Sequence, residues 1–347
     1  MTNSFLIYGA NGYTGELIAR AAARRGFQPI LAGRSRNKVE PLAKELNLIC
    51  RTFSLEDKKS LEYTLKEVDF VVHCAGPFSR TAEKMVEACL RLGKHYTDIT
   101  GEIAVFEAMA KRGEAARKAG IMIMPGIGFD VVPSDCLARH LKNLLPSATN
   151  LTLAFDGAGG GISHGTRATM TLNAGSGGAV RRNGQIIKVP AAHQTRRIDF
   201  GEFTKTAVTI PWGDVSTAFY STGIPNIEVY TAVSKANLKM LKLSRYLGWL
   251  LRTKTVQSRL QKRIPDGGPS DAERADGVTY LWGEASDEQG NRVEARLVCP
   301  EGYTTTVLTA LAIAEKISAG VFQVGFQTPA KCYGADLILE IKDVKRT

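Results

Sequence analysis

A glycine turn close to the amino end limits the fold more than any other feature of the chain. Gly9-Ala10-Asn11-Gly12-Tyr13-Thr14-Gly15 lies between an apolar run at 4–8 (SFLIY) and a segment of helical periodicity at 13–25, which Gly26 ends. The spacing is G-x-x-G-x-x-G, a variant of the G-x-G-x-x-G phosphate turn. Gly9 suits the tight turn, Gly12 lets a pyrophosphate approach the backbone, and Gly15 lets the helix pack closely on the strand. The bare N–H groups at the helix start and the positive end of its dipole suit a diphosphate. The same residues also make a tight strand–helix turn with no ligand, but the order strand, turn, helix favours the phosphate reading.

The rhythm continues downstream. Residues 29–32, 49–53, 70–74, 95–99 and 121–124 read as short strands, and 36–46, 58–67, 81–92 and 103–119 as helices. Such alternation predicts an α/β fold with a doubly wound parallel sheet and helices on both faces. Pro125-Gly126-Ile127-Gly128 breaks the pattern, and 132–143 reads as a helix with Pro133 in its first turn. Beyond Pro146 longer strands are predicted at 150–155, 186–189 and 227–233, between glycine-dense runs at 157–161 and 175–178. A hairpin over 278–285 and 292–299, a helix over 303–318 and a last strand over 335–342 follow. The 347 residues allow two domains at about 150 residues each. The expected boundary is near residue 130, with a nucleotide domain at 1–130 and a mixed substrate domain at 131–300.

The second strand ends in Leu31-Ala32-Gly33-Arg34. Binders of NAD place an acid about 20 residues past the glycines, on the ribose 2′-OH. This chain has Arg34 there, with Ser35, Arg36 and Lys38 close by. A guanidinium makes a forked contact with a 2′-phosphate, so NADP(H) is the expected cofactor. The alternative for Arg34 is a solvated surface arginine. Cys74-Ala75-Gly76-Pro77 follows the fourth strand, where the switch point of an open sheet flanks its ligand. His73 reads as a packed strand residue.

Composition narrows the class. With 44% hydrophobic and 23% charged residues the chain is neither wholly disordered nor a collagen. No apolar run approaches about 18 residues, and the first residues enter a strand at once, so neither a membrane span nor a signal peptide is expected. The six cysteines form no C-x-x-C and the histidines show no ligand spacing, so buried thiols in a cytoplasmic protein without a metal are expected. A formal net charge of +11 suits an anionic partner. Nucleic acid is not the expected one, because no recognised motif supports it and aromatics are only 7%.

Together GANGYTG at 9–15, AGR at 32–34, CAGPF at 74–78, HYTDITGE at 95–102 and PGIGFDVVPSD at 125–135 resemble the saccharopine dehydrogenase-like oxidoreductases. The likeness is to a short bacterial branch similar to trans-acting enoyl reductases. It spans the first 140 residues, with weaker signals in SHGT at 163–166 and GFQTPAKCYGAD at 325–336. It implies a Rossmann domain, then a mixed α+β substrate and dimerisation domain forming a homodimer. It also implies a C-terminal segment, 301–347, returning to the first domain, and NADP-linked redox chemistry. It does not fix the substrate.

Hydride transfer needs an acceptor held against the nicotinamide, water kept out, and developing charge neutralised. None of the ten tyrosines has a lysine four residues on, so a Y-x-x-x-K mechanism is not available. The candidates are Asp98 and Glu102 after the fifth strand and Asp130 after the sixth. Helix capping is the alternative for each. His164 and Arg167 in Ser163–Arg167 are further candidates, with a loop before a helix as the plainer reading.

Residues 235–263 carry nine basic residues and no acid. Met240, Leu243, Leu247, Leu250 and Leu251 fall on one helical face, with Lys242, Arg245 and Arg252 opposite. Either this face packs on the protein and the basic side is solvated, or the helix lies on an anionic membrane surface or docks an acyl-carrying partner. The expected function is NADP(H)-dependent hydride transfer to or from a C=C, C=N or C=O bond of a small or lipid substrate. A non-enzymatic NADP(H) sensor is the alternative.

Overall fold

The apolar runs of the first third assemble into one parallel sheet. In order along the chain these elements are β1 (Phe5–Tyr8), α1 (Tyr13–Arg24), β2 (Ile30–Gly33), α2 (Arg36–Glu45), β3 (Cys50–Thr52) and α3 (Lys58–Lys66). Next come β4 (Phe70–His73), α4 (Phe78–Leu92), β5 (His95–Asp98), α5 (Ile103–Ala110), α6 (Gly113–Lys118) and β6 (Met122–Met124). The strand order 3-2-1-4-5-6 is that of a doubly wound Rossmann sheet. β1 and β4 are buried at every residue, as strands covered on both faces must be, and Phe5 stacks on Phe70 at 5.0 Å. Helix α1 buries Gly15, Ile18, Ala19 and Ala22, one stripe of a 3.6-residue period.

The computed structural model describes all residues except 1–3, 159, 160, 162, 174, 176, 252, 262, 263, 265 and 266. The side chains of 158, 172, 173, 244, 245, 247, 250, 251, 254 and 261 also lie outside it. Parts of the glycine-dense runs, and Arg252, Lys262, Arg263 and the side chains of Arg245, Leu247, Leu250 and Leu251, are therefore outside the description.

The chain divides into two compact units, one of residues 1–130 and 303–332, the other of 131–302 and 333–347. The second unit begins with α7 (Val132–Leu144), β7 (Asn150–Ala158), α8 (His164–Asn173), β8 (Gly178–Arg182), β9 (Gln185–Val189), β10 (Thr195–Asp199) and β11 (Thr204–Thr209). It continues with α9 (Asp214–Thr222), β12 (Asn226–Ala232), α10 (Lys235–Leu251), α11 (Lys254–Gln261), α12 (Asp271–Asp276), β13 (Val278–Ser286) and β14 (Arg292–Pro300). Helix α13 (Gly302–Ser318), β15 (Gly325–Phe326) and α14 (Pro329–Tyr333) carry the chain through the first unit, where β15 extends the sheet beside β6. A single 3-10 turn (Leu337–Glu340) and β16 (Lys345–Arg346) end it, and β16 pairs with β14 in the second unit.

The second sheet is mixed, in the order 10-11-12-7-13-14-16, with β7 parallel to β12 and antiparallel to β13. It curls until β10 faces β13 and β14. Arg196 of β10 grips Glu284 of β13 through two bonds of 3.0 and 2.8 Å, and Arg296 of β14 reaches Asp199 at 3.1 Å. Inside the curl Ile198, Phe200, Ala207, Tyr230 and Trp282 form a core no more than 3% exposed. On the other side Gly283 leaves room for Leu137 and Leu141 of α7.

Four expectations need correction. The helix expected at 103–119 is two helices, because the break places Gly113 flat against Phe326, where a Cβ would sit 3.1 Å away. The strand expected at 335–342 is the short 3-10 turn. The turn buries the neighbours Leu337 and Ile338 and leaves Leu339 38% exposed, which no strand alternation would do. Helix α4 starts at Phe78 and not at residue 81. Residues 333–347, expected on the first domain, group with the second unit.

Candidate functional site

The glycine turn is fastened at the switch point. Gly9 and Ala10 donate to the Ala32 carbonyl of β2 at 2.8 and 3.1 Å, and Gly12 donates to Gly9 at 3.0 Å. Gly9 has φ 89°, and a Cβ on it would lie 2.8 Å from the Ala75 amide, so the turn lies flush on the loop after β4. A Cβ on Gly15 would overlap the Gly9 carbonyl oxygen, so α1 can start this close to β1 only with glycine there. Gly12 caps α1 and offers no side chain to its first amides; Asn11 and Gly12 are exposed. Thr14 is half-buried, and Tyr13 sets its ring edge-on to Tyr303 at 5.0 Å. A cradle that any Cβ would fill, lined by uncapped helix amides, fits a diphosphate.

Beside the cradle, Arg34 is exposed and makes no ion pair or hydrogen bond. Its charge is felt by Tyr8, whose phenol donates to the Phe53 carbonyl at 3.1 Å and is pushed by burial up to about 12 against that charge. Arg36 is paired with Glu40 at 2.9 Å, and the Ser35 hydroxyl with Asn37. Lys38 is exposed and unpaired. The Asn11 side chain lies over Gly33, where a Cβ would meet its Oδ1 at 2.6 Å.

The loop Cys74-Ala75-Gly76-Pro77 is held from below. The Thr81 hydroxyl donates to the Ala75 carbonyl at 2.7 Å, so it accepts from His73 Nε2 at 3.0 Å. His73 is fully buried, pushed down to about 3 by burial, and is a packed strand residue as expected. Burial raises the Cys74 thiol, which keeps it neutral.

Asp98, Glu102 and Asp130 do three different things. Asp98 is completely buried; it accepts from the Thr100 and Gly126 amides, each at 2.9 Å, and from the Tyr96 hydroxyl at 2.7 Å. Burial pushes it up to about 6, and the three donors oppose that rise. It ties the end of β5 to the loop after β6. Glu102 accepts from the Phe78 and Ser79 amides at 2.7 and 3.2 Å, so it caps α4 and not the helix that follows it. Asp130 is half-buried, has no hydrogen bond, and is pushed by burial up to about 7. Its Oδ2 lies where a Cβ on Gly101 would come within 2.5 Å. The sequence reading missed this seat and the Tyr96–Asp98 bond, and no local motif signals either.

In the second unit the Ser163 hydroxyl accepts from the Thr166 amide at 3.3 Å at the start of α8, which His164 opens and on which Arg167 lies. No cluster that could hold a metal occurs among the described residues.

The switch point, the glycine cradle and the loop after β4 together decide the type of the first unit, and residues 5–124 match the saccharopine dehydrogenase NADP binding domain. Residues 5–124 are thus similar to an NADP binding domain of that type. The human saccharopine dehydrogenase-like oxidoreductase is 28% identical over 170 residues, 43% of this chain and 40% of that one. A trans-acting enoyl reductase of Mycobacterium ulcerans is 31% identical over 146 residues, 39% of this chain and 34% of that one. The lipid droplet localized protein of Caenorhabditis elegans is 24% identical over 243 residues, 61% and 57% of the two chains. The matched part is thus about two fifths of the human relative's length. An apo saccharopine dehydrogenase (L-Glu forming) of Saccharomyces cerevisiae shares the fold, with TM-score 0.68 and 12% identity over 99% of each chain. No helix among the described residues is long and apolar enough to cross a membrane.

Proposed function

We propose that the chain is a cytoplasmic NADP(H)-dependent oxidoreductase acting on a C=C, C=N or C=O bond of a small or lipid substrate. The observation that carries the cofactor choice is Arg34: a guanidinium with no partner, at the end of β2 where NAD binders carry an acid. When bound, the nicotinamide supplies or takes the hydride. The chain's own residues bind and orient it. Gly9, Ala10, Asn11, Gly12, Tyr13, Thr14 and Gly15 hold the diphosphate on main-chain amides, Arg34 and Lys38 hold the 2′-phosphate with Ser35 beside them, and Cys74–Pro77 flank the dinucleotide.

Asp130 has the properties of the proton carrier. It is unbonded, borders the loop after β5, and is raised by burial to about 7, where it can both give and take a proton. Asp98 and Glu102 are positioning groups, since each is committed to backbone amides that shape the same edge. The enoyl reductase among the relatives supports a C=C acceptor.

Fluorescence titration with NADPH and NADH, followed by a screen for substrate-dependent NADPH oxidation, tests the reading. NADPH is expected to bind about tenfold tighter or more, the worth of a charge-assisted contact. Equal affinities would remove the 2′-phosphate assignment. Tight NADPH binding with no turnover on enoyl, imine and carbonyl substrates would favour a sensor.

A further inference from the structure

An amphipathic helix normally turns its apolar face inward. Helix α10 leaves Met240, Leu243, Tyr246 and Trp249 outside, among its described side chains. Its half-buried and buried described side chains are Leu238, Leu241 and Gly248, and Gly248 lies against the Gly175 carbonyl, 3.0 Å from where a Cβ would stand. Met240 is 64% exposed, Leu243 58%, Tyr246 77% and Trp249 68%. Of the two readings of residues 235–263, the one in which these apolar residues pack on the protein is thus overturned for Met240 and Leu243. Lys235, Lys239 and Lys242, all exposed and none in an ion pair, lie on the same exposed side between these apolar residues, so Lys242, expected opposite Met240 and Leu243, shares the outward side with them. Leu260 on α11 is 39% exposed, so five of the thirteen exposed large apolar side chains among the described residues fall between 240 and 260.

We propose that α10 docks the second unit on an anionic lipid surface. The exposed side offers apolar side chains of the length that enters the headgroup–acyl boundary, a tryptophan and a tyrosine suited to that interface, and lysines among them whose long stems let the ammonium groups reach the phosphates. The charge chooses the occupant. Over 235–263 there are nine basic residues and no acid, which disfavours pairing with a second copy of the same face and favours phosphate-bearing lipid. The docking needs no nucleotide, so it stands or falls apart from the redox assignment.

Flotation of the full chain with vesicles gives the test. Binding is expected to vesicles of phosphatidylcholine with phosphatidylglycerol, to weaken steeply at high salt, and to be slight with phosphatidylcholine alone. Brominated acyl chains should quench Trp249, whereas Trp282 is 3% exposed and protected. Lys239→Gln with Lys242→Gln should weaken binding about 25-fold, at about fivefold per lysine near such a surface. Leu243→Glu should abolish it, with melting temperature and NADPH affinity unchanged because the side chain is exposed. Absence of flotation on the anionic vesicles would overturn the proposal. So would self-association without lipid that Leu243→Glu abolishes, because the face would then be covered by a second copy.

Discussion

Arg34 and Arg36 stand two positions apart beyond the same strand, and their surroundings separate them. Arg36 is held by Glu40, whereas Arg34 is left with its charge uncommitted beside the phosphate cradle. Arg34→Asp is therefore expected to weaken NADPH by about 10- to 100-fold and NADH far less, read by fluorescence titration. An equal loss for both nucleotides would contradict it. Asp130 allows a pH test whose sign is fixed. Burial keeps it protonated up to about 7, against about 4 in an unfolded chain. The native state therefore holds an extra proton between those values, and stability falls as pH rises through that window. Asp130→Asn should match the parent below about pH 4 and melt higher above about 7. It should also lower reductive turnover at every pH and leave no fall above neutrality, because an amide has no proton to give. An unchanged melting profile would show that the carboxyl ionises freely. At this scale the lack of an acid at the end of β2 was legible, since it can be read from sequence, whereas the freedom of Arg34 from any partner was not. The role of Asp98 was not: its Gly126 partner lies 28 residues away and is brought near only by the parallel register of β5 and β6.

Glu102 shows how one element borrows from another. Helix α4 starts just after Pro77 with no side-chain cap of its own, and a carboxylate 24 residues later covers its first amides. Glu102→Ala should cost about 1–2 kcal/mol in urea unfolding, the range of a lost helix cap. Glu102→Gln should retain part of the stability and much of the turnover. Abolished turnover with intact stability in Glu102→Gln would instead make it a catalytic group. Parallel strands were legible because burial on both faces leaves continuous apolar runs. The β8–β9 hairpin was only half read, although its signal was present: Asn183-Gly184, with φ 49° and 78°, forms the two-residue turn that Asn-Gly favours. The strand before it, Gly178–Arg182, lacks the apolar alternation that would have marked it. The hairpin of β10 and β11 was missed for a similar reason. Its apolar residues face a core made by the curl of the sheet, which no local pattern encodes.

Between the two units the chain crosses three times, after residues 130, 302 and 332. The first crossing was readable from the Pro-Gly break, whereas the last falls at the end of α14, where composition does not change. The first unit is thus discontinuous. Thr309 on α13 donates to the Ile127 carbonyl at 2.9 Å, Arg25 pairs with Glu315 at 3.1 Å, and β15 covers β6. A fragment of residues 1–130 should unfold at markedly lower urea than one in which 303–332 is joined to it, because α13 and β15 bury apolar surface against the sheet. Equal midpoints for the two fragments would mean that the returning segment adds no stability.

That return has a temporal consequence. A ribosome making this protein releases the glycine cradle and β6 before the second unit, and the strand that completes their sheet only after it. Between the two the β6 edge stays open to other chains, an aggregation hazard lasting as long as it takes to translate the second unit.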